Sequence, residues 1–328
     1  MASRRRSARP TRWSTACPSA ERSIAMTSDT GPSPATPERT IPGLTNARRE
    51  RVRALFRFVS ALSPGLAAWL AMQMFLTPLA RRIAPSEARF LATAKPLHLQ
   101  LPSGRLHAYE WPAESPDAPT VLLVHGWISH AARMAELIRA LRQRGLRVVA
   151  FDAPAHGRSG GRQADLQSFR AAIDAVLAAC GAVHGVLAHS FGALTTSTWL
   201  AEDRPGGVRA AVLVGMMRDA GYVFESFALT MALQPDVLAR FRELFRARYG
   251  IYPEELSTTA LVRRLSLPVL VVHGELDELV PVEHASEIAS QLHDGQLLIA
   301  PLLGHGAPLR DPATVTRICD FLVARLAT

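Results

Sequence analysis

The sequence predicts an α/β protein: a mostly parallel sheet flanked by helices. Two features of the chain say so. Short, largely apolar runs recur at 121–124, 147–151, 185–188, 210–214, 269–272 and 296–299. Between them lie stretches with helical periodicity, at 131–144, 166–180, 192–202, 283–292 and 312–326. A strand apolar on both faces must be covered on both, and intervening helices supply that cover while leaving neighbouring strands parallel. Ahead of this pattern, 97–101 and 105–111 alternate apolar and polar residues around Pro102-Ser103-Gly104, which reads as a hairpin. Ligands of such sheets bind beyond the carboxyl ends of the strands, so those ends hold the candidate site.

Composition bounds the function classes. The net charge of +9 belongs to the start of the chain. Residues 1–57 hold 12 Arg against 4 acids, whereas 58–328 hold 25 Lys or Arg against 24 acids. The folded part is therefore near neutral and offers no cationic field for nucleic acid. Cys17, Cys180 and Cys319 are far apart, odd in number and form no CxxC. That fits a reducing compartment, the cytoplasm, with association to the inner membrane left open. No HxH or HExxH occurs, so no metal is expected. The glycines of 157–161 do not make GxGxxG, which argues against a nucleotide.

Residues 1–47 are rich in Ser, Thr, Pro and Arg and lack hydrophobic periodicity, as a disordered basic tail does. Three explanations stay open: a gene start placed too early, with Met26 the true one; a tail that touches anionic lipid; and a targeting peptide. The last lacks an apolar stretch behind its first arginines. Residues 48–95 read as an N-terminal helical, apolar segment. Within it 58–80 has no charged residue, with Arg51, Arg53 and Arg57 before it and Arg81 and Arg82 after it. Its length just suffices to span a bilayer. Ser60, Pro64, Gly65, Gln73 and Pro78 interrupt it, which favours a helix packed on the protein or lying in a membrane interface over a spanning anchor. Membrane-surface contact through 1–82 is therefore one expectation, and removal of 1–57 is expected to leave the chemistry intact.

Five strand ends carry polar or ionisable residues. They are His125-Gly126-Trp127, Asp152-Ala153-Pro154-Ala155-His156-Gly157-Arg158-Ser159, Ala188-His189-Ser190-Phe191-Gly192, His273-Gly274-Glu275-Leu276-Asp277 and Leu303-Gly304-His305-Gly306. A serine on a tight strand-to-helix turn, with small residues two before and two after it, exposes its hydroxyl. Ser190 fits that description; the plainer alternative is an N-cap of the following helix. A serine hydroxyl needs an adjacent base to act as a nucleophile.

Together these motifs resemble the α/β-hydrolase superfamily, in its serine esterase and lipase branch, over about residues 96–326. The resemblance implies the α/β-hydrolase fold, with Ser190 as nucleophile, His305 as base and Asp277 as the acid that orients it. The G-x-S-x-G pattern is met except at its first position, where Ala188 stands. Residues 273–281 look like the family's H-G-x-x-D-x-x-V-P loop, in which Glu275 and Glu278 read as surface acids. Asp219 is the runner-up acid. The backbone N–H groups of Trp127 and Phe191 are implied as the oxyanion hole. Their rings line an acyl pocket or simply pack in the core. His156 is implied to support the turn, and His125, His189 and His273 to bond locally.

The hydrolase domain, 96–328, carries an insertion at about 218–265 that reads as a small helical lid, with an amphipathic helix at 235–249. Met216, Met217, Tyr222, Phe224 and Phe227 are its expected pocket residues; the alternative is a helix on the sheet's flank that touches no substrate. The resemblance implies a serine hydrolase that cleaves a small apolar carboxylic ester or thioester through an acyl-enzyme, with no cofactor. An acyltransferase, or a non-catalytic membrane-attached binding module on the same fold, stands as the alternative. Oligomeric state is not legible.

Overall fold

A computed structural model describes residues 45–79, 81–202 and 207–327. The expected tail falls outside the described residues as far as position 44. Thr45 already caps the first helix by accepting from Arg48 N–H.

Three helices open the chain: α1 (Asn46–Leu62), α2 (Pro64–Leu76) and α3 (Pro85–Leu91). Strands β1 (Lys95–Leu101) and β2 (Gly104–Trp111) form the expected hairpin. Then come β3 (Thr120–Val124), α4 (Ala135–Gln143), β4 (Arg147–Asp152), α5 (Leu166–Cys180), β5 (Gly185–His189), α6 (Phe191–Leu200) and β6 (Ala210–Val214). The insertion supplies α7 (Ala220–Met231), α8 (Pro235–Tyr249) and α9 (Thr258–Val262). The chain finishes with β7 (Val269–Gly274), α10 (Glu283–Ala289), β8 (Gly295–Ala300) and α11 (Pro312–Leu326).

The strands form one sheet in the order β1-β2-β4-β3-β5-β6-β7-β8. β1 and β2 are antiparallel, β2 runs antiparallel to β4, and every other pairing is parallel. β3, β5, β6 and β7 are buried at every position, as their unbroken apolar runs require. Alternate residues serve opposite layers. Leu122, Val124, Val149 and Phe151 pack with Phe169 and Trp199 on one side. Val121, Leu123, Val148 and Ala150 pack with Leu141 and Leu322 on the other. A slip of one residue would exchange the two sets, and at about 1.5–3 kcal/mol per large buried side chain the register is fixed.

The N-terminal segment does not join the sheet. Phe56 and Val59 of α1 and Ala67, Ala68 and Ala71 of α2 cluster with residues of α7 and α8. The ring of Phe75 meets Phe224, Phe227 and Phe241 edge-on, at 5.6, 5.3 and 5.6 Å between centroids. Four helices, two from the N-terminal segment and two from the insertion between β6 and β7, thus make one cap. Residues 58–80 are divided by Ser63, which is extended at φ −159° and whose hydroxyl accepts from Leu66 N–H. Pro64 at the first position of α2 starts the new helix. Among the described residues no helix is long and apolar enough to cross a membrane. Because Val52 and Phe56 pack into the cap, the structure argues against removing residues 45–57 without cost.

Candidate active site

β5 ends at His189 and α6 begins at Phe191, so Ser190 alone makes the reversal from strand to helix. It does so at φ +55° and ψ −122°, a region that costs a residue with a Cβ about 1–3 kcal/mol. The surroundings over-determine it. Ser190 N–H donates to Val214 O of β6 (2.8 Å), and Ser190 O accepts from Ala193 and Leu194. A Cβ at Gly192 would lie 2.3 Å from His125 O and 2.8 Å from Val124 O, so only glycine lets α6 close on β3. Ala188, fully buried, keeps its methyl within the core. The Ser190 side chain makes no N-cap bond to α6, and its hydroxyl is turned elsewhere.

It is turned to His305, in the loop after β8. Ser190 Oγ lies 2.9 Å from His305 Nε2, and His305 Nδ1 lies 2.7 Å from Asp277 Oδ2. With Nδ1–H donating to the carboxylate, Nε2 is left as an acceptor for the serine proton. Asp277 has a fully buried side chain. Its Oδ1 accepts from Leu279 N–H and Val280 N–H, both at 2.9 Å. Burial pushes this carboxyl up, but hydrogen bonds from His273 and His305 and the Val280 N–H outweigh it and hold the group well below the usual carboxylate range. Asp219 is elsewhere: it caps α7 by accepting from Tyr222 N–H at 2.7 Å and pairs with Arg218. Glu275 and Glu278 are more than surface acids. They accept from Leu302 N–H (2.9 Å) and His305 N–H (3.4 Å), which ties the His305 loop to the Asp277 loop.

His125, His156 and His189 are neutral, buried spacers. His125 Nδ1–H donates to Gly126 O at 2.7 Å while its Nε2 accepts from Ala153 N–H at 2.9 Å. Burial lowers its pKa to about 4. This pins the Gly126-Trp127 loop against the turn, where a Cβ on Gly126 would lie 2.9 Å from Ser190 Cβ. His189 Nε2–H donates to His305 O at 3.1 Å, and burial lowers its pKa to about 3. His156 packs edge-on against Trp127 and Phe169. Among the described residues neither Trp127 N–H nor Phe191 N–H donates a hydrogen bond. Phe191 opens α6, where the helix leaves its first N–H groups unpaired.

The family model for serine aminopeptidase S33 matches residues 115–258, and the one for TAP-like protein matches 253–324. A monoacylglycerol lipase of Mycolicibacterium smegmatis is 25% identical over 235 residues, covering 60% of this chain and 84% of the relative. A bifunctional esterase/perhydrolase of Acinetobacter calcoaceticus is 25% identical over 258 residues, covering 61% and 90%. The solved carboxylesterase CesB of Bacillus subtilis superposes with a TM-score of 0.55 at 18% identity, over 80% of this chain and 99% of that one. The chain belongs to the α/β-hydrolase superfamily.

In this α/β hydrolase a cavity of about 420 Å³ opens beside Ser190 and His305. Of the expected pocket residues, Met217, Tyr222 and Phe227 line it, with Trp127 and Phe191. Met216 and Phe224 do not. Met216 is turned under the sheet's core, where its sulfur accepts from the Ser197 hydroxyl at 3.4 Å; its neighbour Met217 points the other way. Phe224, three residues before Phe227, faces α8 and stacks on Phe241 at 3.9 Å. Met74 and Phe75 of α2 line the cavity too and went unforeseen, the uncharged run 58–80 being their only signal, whereas Phe245 of α8 lies in the amphipathic lid helix expected at 235–249. Tyr222 O–H also donates to Leu279 O at 2.6 Å, joining the lid to the loop that holds Asp277.

Proposed function

We propose that this α/β hydrolase is a serine hydrolase that cleaves carboxylic esters with an apolar acyl chain. The observation that carries the reading is the 2.9 Å approach of His305 Nε2 to the Ser190 hydroxyl, with a buried carboxylate behind it. The names of the relatives, monoacylglycerol lipase and esterase, support esters as the bond class. A cavity of this volume with mainly apolar walls suits an acyl group.

Ser190 Oγ attacks the carbonyl carbon while its proton passes to His305 Nε2. The carbonyl π pair moves onto oxygen, and the N–H groups of Trp127 and Phe191 meet that charge. The C–O bond to the alcohol then breaks, and His305 gives its proton to the departing oxygen. Water, deprotonated by His305, attacks the acyl-serine; the acid leaves as Ser190 regains its proton. Asp277 stays ionised and stabilises the imidazolium throughout.

The test is turnover of p-nitrophenyl butyrate by wild type and Ser190→Ala, with a fluorophosphonate adduct mapped by mass spectrometry. A loss of about 10³-fold or more, and an adduct on Ser190, are expected. Equal rates in the two proteins would overturn the reading.

A further inference from the structure

Nine large apolar side chains are exposed among the described residues, and five of them fall within positions 55–69: Leu55, Phe58, Leu62, Leu66 and Trp69, each about half exposed or more. Leu55, Phe58 and Leu62 are spaced three and four apart on α1, away from Val52, Phe56 and Val59. Leu66 and Trp69 continue the exposed face on α2, away from Ala67, Ala68 and Ala71. The outward face of a solvated helix is ordinarily polar, yet no charged residue occurs in 58–80. Arg51 and Arg57 before this run, and Arg81 and Arg82 after it, are exposed.

We propose that the outer face of the α1–α2 pair docks in the plane of an anionic phospholipid bilayer. The five apolar side chains enter the boundary between headgroups and acyl chains, and the flanking arginines meet lipid phosphates. Trp69 sits at the depth such rings favour. The charge pattern selects this occupant. A second copy paired about a two-fold axis would set the arginine rim against itself. Residues 1–44 carry 7 Arg and 3 acids, so they share the sign of this rim. The inference is independent of the chemistry at Ser190. It does bear on access, because Met74 and Phe75 on the same helix wall the cavity.

Flotation of the full-length protein with vesicles tests it, using phosphatidylglycerol with phosphatidylcholine in one arm and phosphatidylcholine alone in the other. Wild type is expected to float with the anionic vesicles, and less so as salt rises. Phe58→Glu with Trp69→Glu is expected to bind at least about tenfold more weakly. Its melting curve and its turnover of p-nitrophenyl butyrate should not change, since neither side chain lines the cavity. Brominated lipid gives a second readout that needs no charge insertion: it should quench wild type more than Trp69→Phe. Failure of wild type to bind anionic vesicles, or equal quenching in those two proteins, overturns the proposal. A wild-type dimer that the double variant splits into monomers overturns it in favour of a second copy.

Discussion

Gly192→Ala tests whether the turn at Ser190 is held by steric necessity. The added methyl would sit 2.3 Å from His125 O. To reach even 3.0 Å, α6 and the end of β3 must part by about 0.7 Å. His125 leads into Gly126-Trp127, and Gly192 follows Phe191, so the two N–H groups assigned to the oxyanion separate by a similar distance. Overpacking of this kind costs about 1–3 kcal/mol, which lowers Tm by roughly 2–12 °C. Misplacement of catalytic groups by about 1 Å costs about 10²-fold in rate. The variant is therefore expected to fold, melt early and turn over p-nitrophenyl butyrate about a hundredfold more slowly. Gly65→Ala is the control. Its Cβ would meet nothing nearer than Ser63 Oγ at 3.9 Å, and in a helix it should be neutral or stabilising by up to about 1 kcal/mol. A Gly192→Ala protein with wild-type Tm and rate would refute the argument.

Two further outcomes concern protons. Burial, the largest cause in each case, lowers the pKa of His125 to about 4 and those of His156 and His189 to about 3. Unfolded histidines titrate near 6.5, so below that pH the unfolded chain takes up protons that the folded one refuses. Stability is full above about pH 6.5 and falls toward pH 4, by at most about 4 kcal/mol per pH unit if all three contribute; urea titrations at pH 7, 6 and 5 that give one midpoint would contradict this. Asp277 is the other case: its folded pKa is depressed, so its contribution is present above the unfolded value of about 3.9 and is lost as pH falls through the folded one. Asp277→Asn should lose about 10⁴-fold in kcat, and its stability deficit against wild type should narrow below about pH 4. A gap in urea midpoint that does not change with pH would count against an ionised Asp277.

The sheet was legible because burial on both faces writes an unbroken apolar run, and β3, β5, β6 and β7 are buried throughout. Ser190, Asp277 and His305 were legible because each follows the end of a strand, and neighbouring parallel strands bring those ends to one edge. What stayed hidden depends on rotation or on distance along the chain. Spacing put Phe224 and Phe227 on one helix but did not say which would face the cavity. Met216 and Met217 posed the same problem at the end of a strand. The partner of 58–80 was invisible because Phe75 and Phe241 belong to segments that no local pattern links. Glu275 and Glu278 looked solvated because their acceptors' partners, Leu302 N–H and His305 N–H, lie in a different loop.

The two halves of the site are held by different means, and this bears on which half can move. Ser190 is fixed by backbone bonds to β6 and by backbone atoms pressed on Gly192; no side-chain change at the surface reaches them. The cap's own apolar cluster ties its four helices to one another. It meets the rest through a smaller cluster in which Tyr222 packs with Leu194, Met217 and Val280, and through a few polar ties. Gln163 meets Gln73 at 2.8 Å, Tyr249 and Arg248 meet Asp165 at 3.0 and 3.2 Å, and Tyr222 meets Leu279 O. Each such tie is worth about 1 kcal/mol, which thermal motion or a competing surface can offset. The cavity proposed to take the acyl chain is lined by Met74 and Phe75 of α2, Phe227 of α7 and Phe245 of α8. The economical route into it is displacement of the helices that carry them, with the hydrogen-bonded chain of Ser190, His305 and Asp277 left in place beneath.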